Sequence, residues 1–205
     1  MFNSNLSGYL KFAINPGDIF LLGLFSSPSQ VAIYGLAKQL AAPLSILQTT
    51  IQTAITPEVT SLAAKLKLDS LRRLVSRYVT LALIFGGIVA AAVLVFGHLL
   101  IKYAFTAGYI DSLPIFYCLV VAAWLLLILL VFRPVAVSLD LLRWLNAALI
   151  VSAALLLLLI VSRNLNALTL SYVQLIEAAI LRPAFAMLVW KTLRASVVSN
   201  QASTA

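Results

Sequence analysis

The sequence predicts an all-α protein, a polytopic integral membrane bundle of about six transmembrane helices, and three observations carry that expectation. Between Arg77 and Lys102 no residue bears a formal charge, and most are apolar. A run of roughly 20 apolar residues is what an α-helix needs to cross the hydrocarbon of a bilayer. The chain as a whole is 63% hydrophobic and 10% charged, with a mean hydropathy of +1.08. Soluble domains carry about 25% charged residues, so lipid rather than water is the predicted solvent. Finally, the 14 Lys and Arg against 6 Asp and Glu, a net charge of +8, lie mostly in short connectors between apolar runs. There they read as topology signals, and no nucleic-acid partner is expected.

The first span, at 5–25, is the least regular, with Lys11 and the helix-breaking Asn15-Pro16-Gly17-Asp18 inside it. Residues 26–30, Ser-Ser-Pro-Ser-Gln, make a polar turn. The second span, 31–55, contains Lys38 and Pro43 and is closed by Pro57. Residues 58–77 differ in kind. Leu62, Leu66, Leu71, Leu74 and Val75 recur at near-helical spacing, while Lys65, Lys67, Arg72, Arg73 and Arg77 mark a polar face. That pattern predicts an amphipathic connector at the membrane surface, broken near Leu68 and Asp69, where Asp69 caps the helix leading into the third span.

The third span is 78–103, and its Gly86-Gly87 pair predicts a close helix contact. A short loop leads to the fourth span, 113–137, which carries Arg133-Pro134 near its end. The fifth span is 144–162, and 163–166 turns the chain into the sixth, 167–190. One membrane lobe, 1–194, therefore accounts for nearly the whole chain, and the small polar residues of 195–205 predict a disordered tail. Trp124, Trp144 and Trp190 read as interfacial belt or packing residues. The first seven residues lack a basic segment, so no secretory signal is expected.

Counting cations in alternate connectors sets the orientation. One side receives Lys65, Lys67, Arg72, Arg73, Arg77, Arg133, Arg143, Lys191 and Arg194, and the other only Lys102 and Arg163. The positive-inside rule then places both termini and the connector at 58–77 in the cytoplasm, with the protein in the cytoplasmic (inner) membrane.

Residues 18–37, Asp-Ile-Phe-Leu-Leu-Gly-Leu-Phe-Ser-Ser-Pro-Ser-Gln-Val-Ala-Ile-Tyr-Gly-Leu-Ala, carry a further pattern. A membrane aspartate leads into Leu-Leu-Gly, and a helix start of the form V-x-I-Y-x-x-A follows. Together with Pro57, the basic connector, the long third span and Phe105-Thr-Ala-Gly-Tyr109, this resembles the Wzx-like polysaccharide flippase family of the multidrug/oligosaccharidyl-lipid/polysaccharide exporter superfamily. The resemblance runs from about residue 9 to 160 and rests on pattern rather than on a catalytic signature. Family members usually place Arg after the membrane aspartate, where this chain has Ile19. They also have about twice as many spans, in two lobes, so the resemblance implies that this chain corresponds to the second, C-terminal lobe. It further implies a substrate, an undecaprenyl-diphosphate-linked oligosaccharide moved across the cytoplasmic membrane for polysaccharide biosynthesis. An N-terminal lobe, or self-association, would complete the carrier.

Ionised groups at span depth cost about 2.5–3.5 kcal/mol each, so they are expected to face a cavity or a partner. Asp18, Lys38, Glu177 and Arg182 qualify, while Lys11 and Arg133 lie nearer to span ends. Asp18 and Lys38 lie on adjacent helices at similar distances from the turn at 26–30, which predicts an intramembrane ion pair. Two roles stay open for it: lining a cationic substrate path, or simply helping the hairpin insert. Glu177 and Arg182 are five residues apart, off the i,i+4 spacing that would assure a pair. The candidate path residues are thus Lys38, Arg182, Asp18, Glu177 and Lys11, and the hinge candidates are Pro16, Gly17 and Pro183.

No nucleophile–base set, glycine-rich phosphate loop or metal-ligand spacing is present in the sequence, so neither enzymatic chemistry nor a cofactor is expected. Cys118 and His98 each stand alone among their kind. Two rival readings remain: a cation-coupled multidrug exporter that uses Asp18 or Glu177, and a non-transporting scaffold or truncated gene product.

Overall fold

The computed structural model describes residues 17–65, 67–103, 105, 107–139, 141–161 and 166–202. Its helices are α1 (Gly17–Phe25), α2 (Pro28–Ala64), α3 (Leu68–Tyr103), α4 (Ser112–Leu129), α5 (Phe132–Ser138), α6 (Leu142–Val161), α7 (Ala167–Ile176) and α8 (Arg182–Ala202). A 3₁₀ turn, Ala107–Tyr109, precedes α4, and a π turn, Glu177–Leu181, joins α7 to α8. The all-α class is therefore as expected, with no strand among the described residues.

Among the described residues three helical stretches are long and apolar enough to cross a membrane: Leu68–Tyr103, Ser112–Leu129 and Ala167–Ala195. The first has the highest mean hydropathy of the three, 2.7, yet only 17% of its most apolar window is buried inside the protein. Phe85, Ile88 and Phe96 on α3 are each more than 60% exposed. An apolar face of that size is stable only if another apolar phase covers it, which makes this a membrane protein. Fewer spans meet the length and hydropathy requirement than the six expected.

The opposite face of α3 explains its packing. Leu71, Val75, Ala82, Gly86, Ala90, Gly97 and Ile101 are buried, and four of them, Ala82, Gly86, Ala90 and Gly97, are small. A Cβ at Gly86 would approach Leu127 Cδ2 at 2.7 Å, and one at Gly97 would run into the Phe116 ring. Lipid gives helices no hydrophobic reason to associate, so close approach over small residues supplies the packing energy. The expected contact at Gly86 is thus with α4. Two side chains add interhelical hydrogen bonds: Gln48 donates to the Ala123 carbonyl at 2.6 Å, and Tyr78 to the Leu127 carbonyl at 2.7 Å.

The core divides into two parts along the helix axes. One contains Leu22, Tyr34, Leu44, Ile101, Phe116 and Leu170. The other contains Val59, Leu71, Val75, Val135, Val189 and Leu193. The second of these explains why α2 does not stop at Pro57. The proline forfeits one backbone bond, but Ile55 and Val59 on either side of it are locked into that core, and the helix continues to Ala64. With α2 capped at Lys65 and α3 starting at Leu68, Asp69 lies in the first turn of α3 rather than at a cap. The residues of the expected amphipathic connector are the ends of two long helices, and the helix expected to lead from Asp69 into the third span does so.

The expected fourth span is also divided. At 1.5 Å per residue α4 alone rises about 27 Å, and the chain then tightens before Pro134. Leu130 donates to the Leu127 carbonyl and Arg133 to the Leu130 carbonyl, each at 3.3 Å, which are three-residue rather than four-residue spacings. Pro134 cannot donate, so the turn preceding it gives up α geometry. At the C-terminus α8 runs to Ala202, beyond Arg194, where the sequence placed the start of a disordered tail.

At the other end of the bundle, two caps and one hydrogen bond fix the register of two helices. Ser27 precedes Pro28, which starts α2. Asn166 and Thr169 form a reciprocal capping box at the start of α7, with bonds of 2.8 and 3.0 Å. Gln30 accepts a hydrogen bond from the Ala167 backbone at 3.0 Å, tying the first turn of α2 to the first turn of α7.

Candidate functional site

From that tie the chain places three polar side chains level with one another. Lys38 lies eight residues beyond Gln30, Gln174 seven beyond Ala167, and Asp18 eight before Ser26. At 1.5 Å per residue all three come about 10–12 Å in from the same end of the bundle. The Lys38 ammonium bridges both Asp18 oxygens, at 2.6 and 2.7 Å. The predicted Asp18–Lys38 pair is therefore formed.

Two further residues complete the cluster, and the sequence reading missed both. Tyr34 donates to Asp18 Oδ2 at 2.6 Å, and Gln174 donates to the same oxygen at 2.7 Å and to the Tyr34 hydroxyl at 2.9 Å. Tyr34 is one helical turn before Lys38 and so shares its face, and its ring lies 5.9 Å from the Lys38 nitrogen. Gln174 is an amide in an otherwise apolar run, three residues before Glu177. Both are polar groups within largely apolar runs, but neither carries the formal charge that makes Asp18, Lys38, Glu177 and Arg182 stand out in the sequence.

Asp18 is completely buried and also accepts from the Ile19 backbone at 2.7 Å. A carboxylate offers about four lone-pair sites. Five donor contacts from α1, α2 and α7 saturate them and leave the carboxylate no vacant side. Gly17, the hinge candidate, is the first residue of α1, and its place there leaves Asp18 in the first turn. Lys11 and Pro16 lie outside the described residues.

Glu177 and Arg182 form a second pair, across the π turn. Arg182 donates from Nε at 2.9 Å and from Nη2 at 2.6 Å, both to Glu177 Oε1. In an α-helix residues five apart diverge, but a π turn closes i→i+5 rings and aligns them. The backbone bond has that spacing, with the Arg182 N–H donating to the Glu177 carbonyl. Pro183 supplies a physical reason: its ring would collide with a carbonyl one α-turn earlier, and the extra residue in the turn relieves that collision. The proline expected to act as a hinge thus accompanies the turn that forms the pair.

Arg133, at the start of α5, lies within electrostatic range of Arg182. Among the described residues no group of three or more His, Cys, Asp or Glu could hold a metal ion. His98 instead makes a 2.6 Å hydrogen bond with the Tyr117 hydroxyl.

The exposures within the two ion pairs are unequal in the same sense. Lys38 is 29% exposed while Asp18 is fully buried, and Arg182 is 21% exposed against 8% for Glu177. In each pair the carboxylate is the hidden member and the cation the accessible one. An approaching ligand meets positive charge first. Comparison with protein-family models, curated proteins and solved structures found no match to this chain.

Proposed function

We propose that this chain is one lobe of a flippase for undecaprenyl-diphosphate-linked oligosaccharide, with α2 and α6 also crossing the membrane and both termini cytoplasmic. The observation that carries the reading is the exposure asymmetry of the two ion pairs, in which Lys38 and Arg182 stay accessible while their carboxylates are buried. A diphosphate crossing hydrocarbon needs cations along its route, and buried carboxylates anchor those cations without competing for the ligand. The guanidinium of Arg182 has Nη1 uncommitted among the described residues, leaving it able to engage a phosphate oxygen while Glu177 holds its other nitrogens. The polyprenyl tail would remain on the apolar face of α3.

Saturation of Asp18 weighs against the cation-coupled exporter, because a coupling ion or proton would have to displace Lys38 first. Alternating access would come from one lobe rocking against another, with the turns before Pro134 and Pro183 as the natural points of yield.

Binding tests the reading directly. The purified chain in nanodiscs should bind an undecaprenyl-diphosphate disaccharide, and Lys38→Gln with Arg182→Gln should weaken that binding by about tenfold or more, the scale of one lost charge-assisted contact. Unchanged affinity would refute the assignment of these residues. In liposomes the isolated monomer should not flip the lipid, since it holds half a groove, and robust flipping would refute the requirement for a second lobe.

A further inference from the structure

We infer that the end of the bundle carrying the α2–α3 turn contains a binding cleft for the phosphate headgroup of an anionic membrane lipid. The cleft, about 520 Å³, is lined by Asp69, Arg72, Arg73, Ser76, Trp190 and Arg194. It is independent of the Asp18 and Glu177 pairs and does not rest on the transport reading.

Two helices build it. The early turns of α3 bring Arg72, Arg73 and Ser76, and α8 brings Trp190 and Arg194, held together by Leu71, Val75, Val189 and Leu193 in the core beneath. Trp190 is the organising group: the Arg72 guanidinium lies 5.9 Å from its ring and that of Arg194 lies 5.2 Å away, so one indole gathers two cations from different helices. Like charges brought together this way repel, and three guanidiniums against the single Asp69 carboxylate leave a net charge of +2. An anion between them removes that repulsion. Guanidinium forks match phosphate oxygens bidentately, and the Ser76 hydroxyl adds a neutral donor.

Position identifies the source of the phosphate. Arg72 and Arg73 stand at the start of the apolar span Leu68–Tyr103, and Arg194 at the end of the span Ala167–Ala195. The cleft therefore sits where hydrocarbon gives way to headgroups, and Trp is the residue that favours that boundary. A glycerophospholipid phosphate is already at this depth, and its acyl chains can follow the apolar surfaces of α3 and α8 inward. Basic pockets between spanning helices take such headgroups.

Native mass spectrometry of the purified full chain, titrated with cardiolipin and with phosphatidylcholine, tests this. Arg72, Arg73 and Arg194 are exposed, so replacing them by Gln leaves the cores intact. Cations near an anionic surface contribute about fivefold each, so R72Q/R73Q/R194Q should weaken cardiolipin retention on the order of a hundredfold. K65Q/K67Q/K191Q removes the same charge from the same end but outside the cleft, and should weaken retention far less than R72Q/R73Q/R194Q, because these lysines do not line the cleft. Trp190→Phe keeps a ring and should lie between the two. Equal losses in the two triple variants would mean diffuse attraction and overturn the site. Displacement of bound cardiolipin by equimolar glycerol phosphate would overturn a lipid in favour of a soluble phosphate.

Discussion

Replacing Lys38 by Met removes the cation from a fully buried carboxylate while keeping the length of the apolar stem. Lys38 supplies two of the five donor contacts on Asp18, and the only formal positive charge among them. Tyr34, Gln174 and the Ile19 backbone remain, but these are neutral donors. Removing one partner of a buried pair costs about 3–5 kcal/mol, because the other charge stays behind. For a chain of this size each kcal/mol shifts the melting midpoint by about 2–4 °C, so K38M should melt at least about 6 °C below the parent in the same detergent. The double variant D18N/K38M strands no charge and still offers Tyr34 and Gln174 a partner. It should recover to within about 1.5 kcal/mol of the parent, so that with D18N alone also destabilising the double-mutant cycle gives a coupling of at least about 1.5 kcal/mol. Fluorescence-detected thermal unfolding of all four proteins reads this out. If K38M melted with the parent, or if the two losses simply added, the buried ion pair would not be a structural determinant.

Gly97→Ala should cost about 1–3 kcal/mol, since its Cβ would enter the fully buried Phe116 ring, whereas Gly35→Ala meets nothing within 4 Å and should stabilise by about 0.5–1 kcal/mol; thermal unfolding distinguishes the two signs. Ile88→Lys on the exposed apolar face of α3 should raise the cost of membrane insertion by about 2.5–3.5 kcal/mol in a glycosylation-mapped insertion assay, and a neutral outcome would show that this face meets water. The Glu177–Arg182 coupling should be about 1–3 kcal/mol in the native chain and fall to near zero in a Pro183→Ala background, where the backbone can return to α geometry; an undiminished coupling would dissociate the pair from the π turn.

Much of the secondary structure was readable because lipid imposes a simple demand: every backbone polar group must be satisfied within its own segment. Long apolar runs become helices, and both ends of α6, the C-terminal end of α3 and the start of α7 lie close to those drawn from hydropathy alone. Two of the errors fall at prolines. Pro57 was read as a terminator, and packing of Ile55 and Val59 carried the helix through it. Pro134 was read as lying inside a span, and the helix breaks just before it. Hydropathy counts side chains and does not register which neighbour holds a turn in place.

The candidate site divides along the same line. Asp18 and Lys38 were paired from their equal distances to one turn, a one-dimensional argument that works because helical rise is constant. Glu177 and Arg182 defeated that argument, since the spacing rule assumes 3.6 residues per turn and a π turn abolishes it.

What the residues determined by themselves is the solvent, the helical class and which ionised groups must find partners, since these follow from transfer free energies that each side chain carries wherever it sits. What tertiary structure alone decided is the partnership. Gln174 reaches Asp18 across 156 positions of sequence, and Trp190 gathers arginines from two helices. Such contacts depend on how α7 and α8 pack against α2 and α3, and packing is a property of shapes in contact rather than of any one segment's composition.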